Sequence, residues 1–172
     1  PYTTLFRSEK PVVAAVNGVA AGAGANIALC CDIVVAAQSA SFIQAFSGIG
    51  LIPDSGGTFM LPRLVGWQKA SALMLLGDKV PAAEAERMGM IYKVFDDESF
   101  ATSSWQLAER LSAMPTKALG MTKLALRWSF AHTFKEQLEN EDKLQQRAAA
   151  TADFKEGVAA FLEKRTPNFT GE

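Results

Sequence analysis

Long apolar runs, blocks of one charge and metal-ligand residues are all scarce in this chain of 172 residues. No apolar segment approaches the roughly 18 residues that a membrane-spanning helix needs. Lys and Arg number 17 against 18 Asp and Glu, for a formal charge of −1, and no Lys/Arg block of five or more occurs. An electrostatic footprint for nucleic acid or an anionic membrane is therefore missing. There are two cysteines, Cys30 and Cys31, side by side in an apolar stretch. Neighbouring cysteines seldom bridge, and no second pair supplies zinc-ligand spacing, so both read as reduced core residues and no metal is expected. The lone histidine, His132, has no carboxylate within three positions, which leaves no Ser-His-Asp or Cys-His arrangement to build and favours a surface or interface role. Neither GxGxxG nor GxxxxGK[ST] occurs, so nucleotide readings lack support. What is present, 49% apolar and 20% charged residues, describes an ordered globular chain open to small neutral or anionic ligands, with a cytoplasmic location expected.

The first residue is Pro1, and PYTTLFRS over 1–8 reads as a leader foreign to the fold, with the C-terminal part of a longer protein following from Glu9. Residues 11–16 (PVVAAV) form a β-branched apolar run ended by Asn17-Gly18, as a buried strand would be. A glycine-rich turn follows, with Gly18, Gly22 and Gly24 permitting close backbone approach, and a helix begins near Ala23. Strands are expected over 32–37 and 41–43, then a loop over 48–57 (GIGLIPDSGG). Helices are expected over 58–65 and 67–76, with Gly77 as C-cap, and over 82–88 behind Pro81, followed by a strand over 91–95. From Glu98 onward helices are expected over 100–114, 116–130, 134–151 and 152–164. Leu107, Leu111 and Met114 form a core-facing stripe on the first of these. An α/β part over 9–95 thus precedes a helical part over 96–172, which needs something to cover and suits subunit contacts.

Three features could carry chemistry. A small-residue turn entering a helix presents unpaired N–H groups to an anion, although tight strand-to-helix packing explains the same glycines equally well. Asp54, between Pro53 and Ser55, is either a helix cap or, if apolar surroundings raise its pKa, an acid/base group. Arg63 and Lys69 follow the Asp54 loop and could meet a phosphate, but a helix-face role suits them better. Glu84, Glu86, Glu98, Glu136, Glu139, Glu141 and Asp142 belong to solvated helical faces.

Three segments taken together, KPVVAAVNGVAAGAGANIALCCDIVVA, FSGIGLIPDSGGTFMLPRLVG and EGVAAFLEKRTPNF, resemble the enoyl-CoA hydratase/isomerase (crotonase) superfamily from Lys10 to Phe169. The resemblance implies an α/β spiral of strand-strand-helix repeats, of which this is the C-terminal part, with helices that assemble homotrimers or hexamers. It implies acyl-CoA thioester substrates, with coenzyme A as part of the substrate and no separate cofactor. By position, one of the family's two thioester-oxygen N–H donors is Ala23, flanked by Gly22 and Gly24; the other falls upstream of residue 9. Oxyanion donors of this kind are worth roughly 3–4 kcal/mol each. Typical hydratases carry two glutamates where this chain has Asn26 and Phe46, and glycine where it has Asp54. The GAGANIAL and GLIPDSGG segments are similar to isomerases acting on ring-epoxidised phenylacetyl-CoA. An isomerase is therefore expected, with Asp54 and Ala23 catalytic, Asn26, Phe42, Phe46, Ile49 and Leu51 lining the substrate, and Phe161 and Lys164 touching CoA, although helix packing and a solvated lysine account for that last pair equally well. The alternatives are another enoyl-CoA isomerase or hydratase, a hydrolase or dehalogenase with Asp54 as nucleophile, and a non-catalytic scaffold or RNA binder.

Overall fold

The structure is a computed structural model that describes residues 7–172. The leader expected over 1–8 falls almost wholly outside them. The chain divides into two units, one spanning Val12–Gln106 and one made of Ser8–Pro11 with Leu107–Glu172.

The first unit is built from strand pairs and covering helices. Strands β1 (Val13–Val16), β3 (Ile33–Ala37) and β6 (Lys93–Phe95) form one parallel sheet in the order β1-β3-β6. Strands β2 (Val19–Ala21), β4 (Ser41–Ile43) and β5 (Lys79–Pro81) form a second, in which β2 and β4 are parallel and β5 runs antiparallel to β4. The pairs β1-β2 and β3-β4 each place one strand in each sheet before a helix follows, which is the strand-strand-helix spiral. The central strand β3 reads IVVAA and is buried along nearly its whole length, as a parallel strand flanked on both sides and covered on its faces must be. Helix α1 (Ala23–Leu29) follows β2; α2 (Gly57–Val65) and α3 (Trp67–Leu76) follow β4; α4 (Ala82–Arg87) joins β5 to β6. Leu29, Val35, Phe42 and Leu61 are the largest apolar side chains sealed in this core.

Two strands depart from expectation. Val19–Ala21 belongs to a strand rather than to the glycine-rich turn, because pairing with Ser41–Ile43 organises a short segment in which only Val19 favours a strand. Lys79–Pro81 is a strand for the same reason, and its proline closes the strand where its missing N–H costs no ladder bond. The other expected elements are present, shortened by one or two residues at several ends. Leu107, Leu111 and Met114 are half-buried, Cys30 is buried and Cys31 is half-buried.

Helix α5 (Phe100–Ser112) leads into the second unit, whose helices are α6 (Thr116–Trp128), α7 (Phe134–Ala149) and α8 (Ala152–Glu163). Thr133 and Glu136 cap α7 reciprocally, and hydrogen bonds from Thr133 hold the Glu136 carboxyl below its usual range. His132 is half-buried, and its Nδ1 lies 2.9 Å from Asn140 Nδ2. The segment Ser8–Pro11 lies along α6, where Lys123 Nζ donates to the Lys10 carbonyl at 3.1 Å. The last residues fold back onto α8: buried Asp153 accepts from the N–H groups of Thr170 at 2.8 Å and Gly171 at 2.9 Å. Glu156 accepts two bonds from Arg165, at 2.6 and 2.8 Å, and one from Asn168 N–H at 2.8 Å.

Those bonds, Arg165 first and Asn168 second, lower the Glu156 pKa from 4.5 to about 2. The group is depressed on folding, so its contribution is present above the unfolded value and fades as pH falls through the folded one. Hydrogen exchange at the Asn168 amide should therefore accelerate as pH is lowered from 4.5 towards 2, beyond the intrinsic trend, and the Glu156→Gln variant should lack this extra dependence.

Candidate active site

Helix α1 organises the site. Its entry residue Gly22 has φ +53°, a conformation that disfavours any side chain, and a Cβ there would lie 3.5 Å from the Phe46 ring. Gly22 N–H donates to the Ile43 carbonyl at 2.8 Å, fixing the bend to the edge of β4. The next three amides, those of Ala23, Gly24 and Ala25, open the helix one turn too early for intrahelical acceptors. Of these, Ala23 is half-buried and Gly24 exposed. Gly18 and Gly24 have no atom within 4 Å of where a Cβ would sit, so the close approach expected of the three glycines holds only at Gly22.

From β4 the chain passes through a short 3-10 turn, Ser47–Ile49, into the loop that carries Asp54. Two bonds from α1 hold this loop by its carbonyls. Asn26 Nδ2 donates to the Asp54 carbonyl at 3.0 Å, and Cys30 Sγ donates to the Ser55 carbonyl at 3.5 Å. Asn26 and Cys30 are four residues apart and so share one face of the helix. The Asp54 carbonyl also accepts from Gly57 N–H at 2.9 Å, closing the turn that starts α2. Between them Ser55 has φ +50°, an uncommon conformation for a residue with a Cβ, and Gly56 has φ +82°.

Asn26 is itself held from behind. It is 0% exposed, and its Oδ1 accepts from Gln44 Nε2 at 2.8 Å; Gln44 is 2% exposed. The amide orientation follows from chemistry, since the Asp54 carbonyl can only accept and must face the Asn26 NH2 group. That leaves Asn26 Oδ1 for Gln44, which must then present its own NH2.

Asp54 was expected out of solvent, but its side chain is exposed and has no hydrogen-bond partner among the described residues. The reason is that the loop is gripped through main-chain carbonyls, which leaves the carboxylate on the outside. The capping alternative also fails as framed, because the N-cap of α2 is Gly56 and no side chain caps it. Asn26 and Phe42, expected to line the substrate, are instead sealed in the interior, the first by its two amide bonds and the second by the pairing of β4. Phe46 is buried beneath the Gly22 bend, whereas Ile49 and Leu51 are 71% and 60% exposed on the rim of the loop. Phe161 and Lys164 belong to the second unit. Phe161 is 83% exposed, and Lys164 ends α8 with φ +55°, its N–H donating to the Phe161 carbonyl. Arg63 stacks on the Phe59 ring and donates to the Phe59 carbonyl, and Lys69 lies 3.8 Å from Glu84, so both serve helix faces as expected.

Gln44 and Gly57 escaped the reading of the sequence. Their signals are faint: a glutamine just past an apolar strand, and the second of two glycines after Asp54-Ser55. A Cβ at Gly57 would run into the Asn26 carboxamide, so only glycine allows α2 to start there. The Gly57→Ala variant should lose about 1–3 kcal/mol of stability in denaturant unfolding, and more of it than Gly48→Ala, where the space is open.

Along residues 1–172 the sequence matches the family model described as enoyl-CoA hydratase/isomerase. It is 51% identical over 168 residues to the 1,2-epoxyphenylacetyl-CoA isomerase of Escherichia coli K12, covering 98% of this chain and 64% of that protein. To the 2,3-dehydroadipyl-CoA hydratase of the same organism it is 41% identical over 170 residues, covering 99% of this chain and 67% of that protein. The crystal structure of an enoyl-CoA hydratase from Polaromonas sp. JS666 superposes with a TM-score of 0.94 at 36% identity, over 98% of this chain and 66% of that one. The chain spans 60–65% of the length of several of the curated relatives it matches. With a family model matched from end to end and the strand-strand-helix spiral shared with a solved structure at that identity, the chain belongs to the enoyl-CoA hydratase/isomerase family.

Proposed function

We propose that the protein is an acyl-CoA isomerase that shifts protons and double bonds beside a thioester, with 1,2-epoxyphenylacetyl-CoA, rearranged to the oxepin, as its substrate. The observation that carries this reading is the distribution of acids. At the two positions where the family resemblance puts the hydratase glutamates stand Asn26, whose amide is committed at both ends, and Phe46, buried under the bend. Neither exchanges a proton near neutral pH. The loop instead offers Asp54.

In this mechanism the thioester oxygen accepts a hydrogen bond from Ala23 N–H, with Gly22 and Gly24 giving it room. As a proton leaves the carbon next to the carbonyl, negative charge builds on that oxygen, where the amide stabilises it. Asp54 takes the proton and returns it to another carbon of the conjugated system, so no net proton is gained or lost. One carboxylate suffices, because the same group acts as base and then as acid. An acyl group settling among Ile49, Leu51 and Ile52 would cover the exposed Asp54 carboxylate as the substrate binds. With epoxyphenylacetyl-CoA, the C–O bridge is retained while a ring C–C bond opens, giving the seven-membered oxepin.

Coenzyme A enters as part of the substrate, and the proposal includes no separate cofactor or metal. Phe154, Val158, Phe161 and Leu162 leave an apolar stripe exposed along α8, which supports assembly as a homotrimer or hexamer and leaves Phe161 and Lys164 as candidate CoA contacts. A cytoplasmic enzyme without nucleic-acid or membrane partners fits the balanced charge. None of the described helices is long and apolar enough to cross a membrane.

In the intact protein, Asp54→Asn should lower isomerisation of 1,2-epoxyphenylacetyl-CoA roughly 10²–10⁴-fold with little change in KM. The unaltered protein should hydrate crotonyl-CoA negligibly. Undiminished isomerisation in Asp54→Asn would remove Asp54 from the chemistry, rapid hydration would restore the hydratase reading, and an acyl group covalently attached to Asp54 in mass spectra would make it a nucleophile.

A further inference from the structure

The geometry points to Gln44 as a positioning residue that sets the place of Asp54 through Asn26, an inference that rests on Asp54 being the acid/base group. The chain of contacts is short. Gln44 Nε2 reaches Asn26 Oδ1 at 2.8 Å, and Asn26 Nδ2 reaches the Asp54 carbonyl at 3.0 Å. Both amides are buried and Asp54 itself is exposed, so the exposed loop takes its register from an interior it does not enter.

Amide chemistry makes the link directional. Without a donor at Gln44, Asn26 Oδ1 would lie buried and unsatisfied, and the Asn26 carboxamide would gain by turning its NH2 group towards any acceptor left on that side. Its oxygen would then face the Asp54 carbonyl oxygen, two acceptors in contact, and the loop would move away. Gln44 therefore holds the Asn26 amide in the one orientation that binds the loop. Its neighbours raise the precision required. Gly57 leaves Asn26 no slack on the side of α2, and Ser55, next to Asp54, is kept in a left-handed conformation that a released loop would tend to abandon. A displacement of the carboxylate by about an ångström costs on the order of a hundredfold in rate where proton transfer depends on alignment.

The test is a double-mutant cycle on Gln44→Met, which keeps length and bulk but removes the donor, and Asp54→Asn, assayed in the intact protein with 1,2-epoxyphenylacetyl-CoA. Gln44→Met alone should lower kcat about ten- to a hundredfold with KM within about twofold of the parent value. In the Asp54→Asn background the same change should leave the residual rate unaltered, because Gln44 acts only through the carboxylate. Should Gln44→Met fail to fold, Gln44→Asn, which withdraws the amide by one methylene, is read in the same way. A parental kcat in either soluble variant, or an equal loss of rate with and without Asp54, overturns the positioning role while leaving Asp54 in place. Full activity in Asp54→Asn would instead overturn the isomerase reading, and this inference with it.

Discussion

The arrangement of the site depends on the grip of helix α1 on the main-chain carbonyls of the Asp54 loop, first of all the hydrogen bond from the buried Asn26 carboxamide to Asp54. A loop of turn-forming residues has no packing of its own to define its position, and the residues on its rim are exposed. Its carbonyls are what the rest of the unit can hold. Helix α1 does so with two side chains one turn apart, Asn26 on the Asp54 carbonyl and Cys30 on the Ser55 carbonyl. The same helix begins at the Gly22 bend, where the first unpaired amides are found. Thus one seven-residue helix sets both the donor end and the acid end of the proposed site.

Why that helix stays put is a matter of the two sheets. Gly22 is tied to Ile43 at the end of β4, and β4 is paired on one side with β2, which leads into the bend, and on the other with β5. Phe42 is buried on β4, and the Phe46 ring lies beneath the bend at which α1 begins. In the second sheet only β4 is marked by its residues, and β2 and β5 contribute little by propensity. They are strands because β4 supplies the partner each one lacks.

Much of this was legible in the sequence. Strand, bend and helix over residues 11–31 followed from β-branched runs and glycine placement, and the glycine stops after α2 and α3 marked their ends correctly. The resemblance of three segments identified the family and singled out Asp54, Asn26 and Phe46 as the informative departures. What stayed hidden depended on long-range pairing or on atoms rather than residue types. Val19–Ala21 and Lys79–Pro81 carry little strand signal without their partners. The burial of Asn26 and the exposure of Asp54 reverse the expectation for those two residues, because sequence patterns record which residue is polar and not which of its atoms is used. Gln44 becomes visible only when the Asn26 carboxamide is asked where its second end goes.

The contact of Gly57 with Asn26 also bears on how activities within this family can be exchanged. A glutamate at position 26, where the resemblance puts a hydratase acid, would have to fit where the shorter amide already lies against Gly57 at the start of the next helix. It would also surrender the donor that holds the Asp54 loop. The side chain at 26, the residue at 57 and the loop between them are packed as one module, so that a longer side chain at 26 and a Cβ at 57 would compete for the same space.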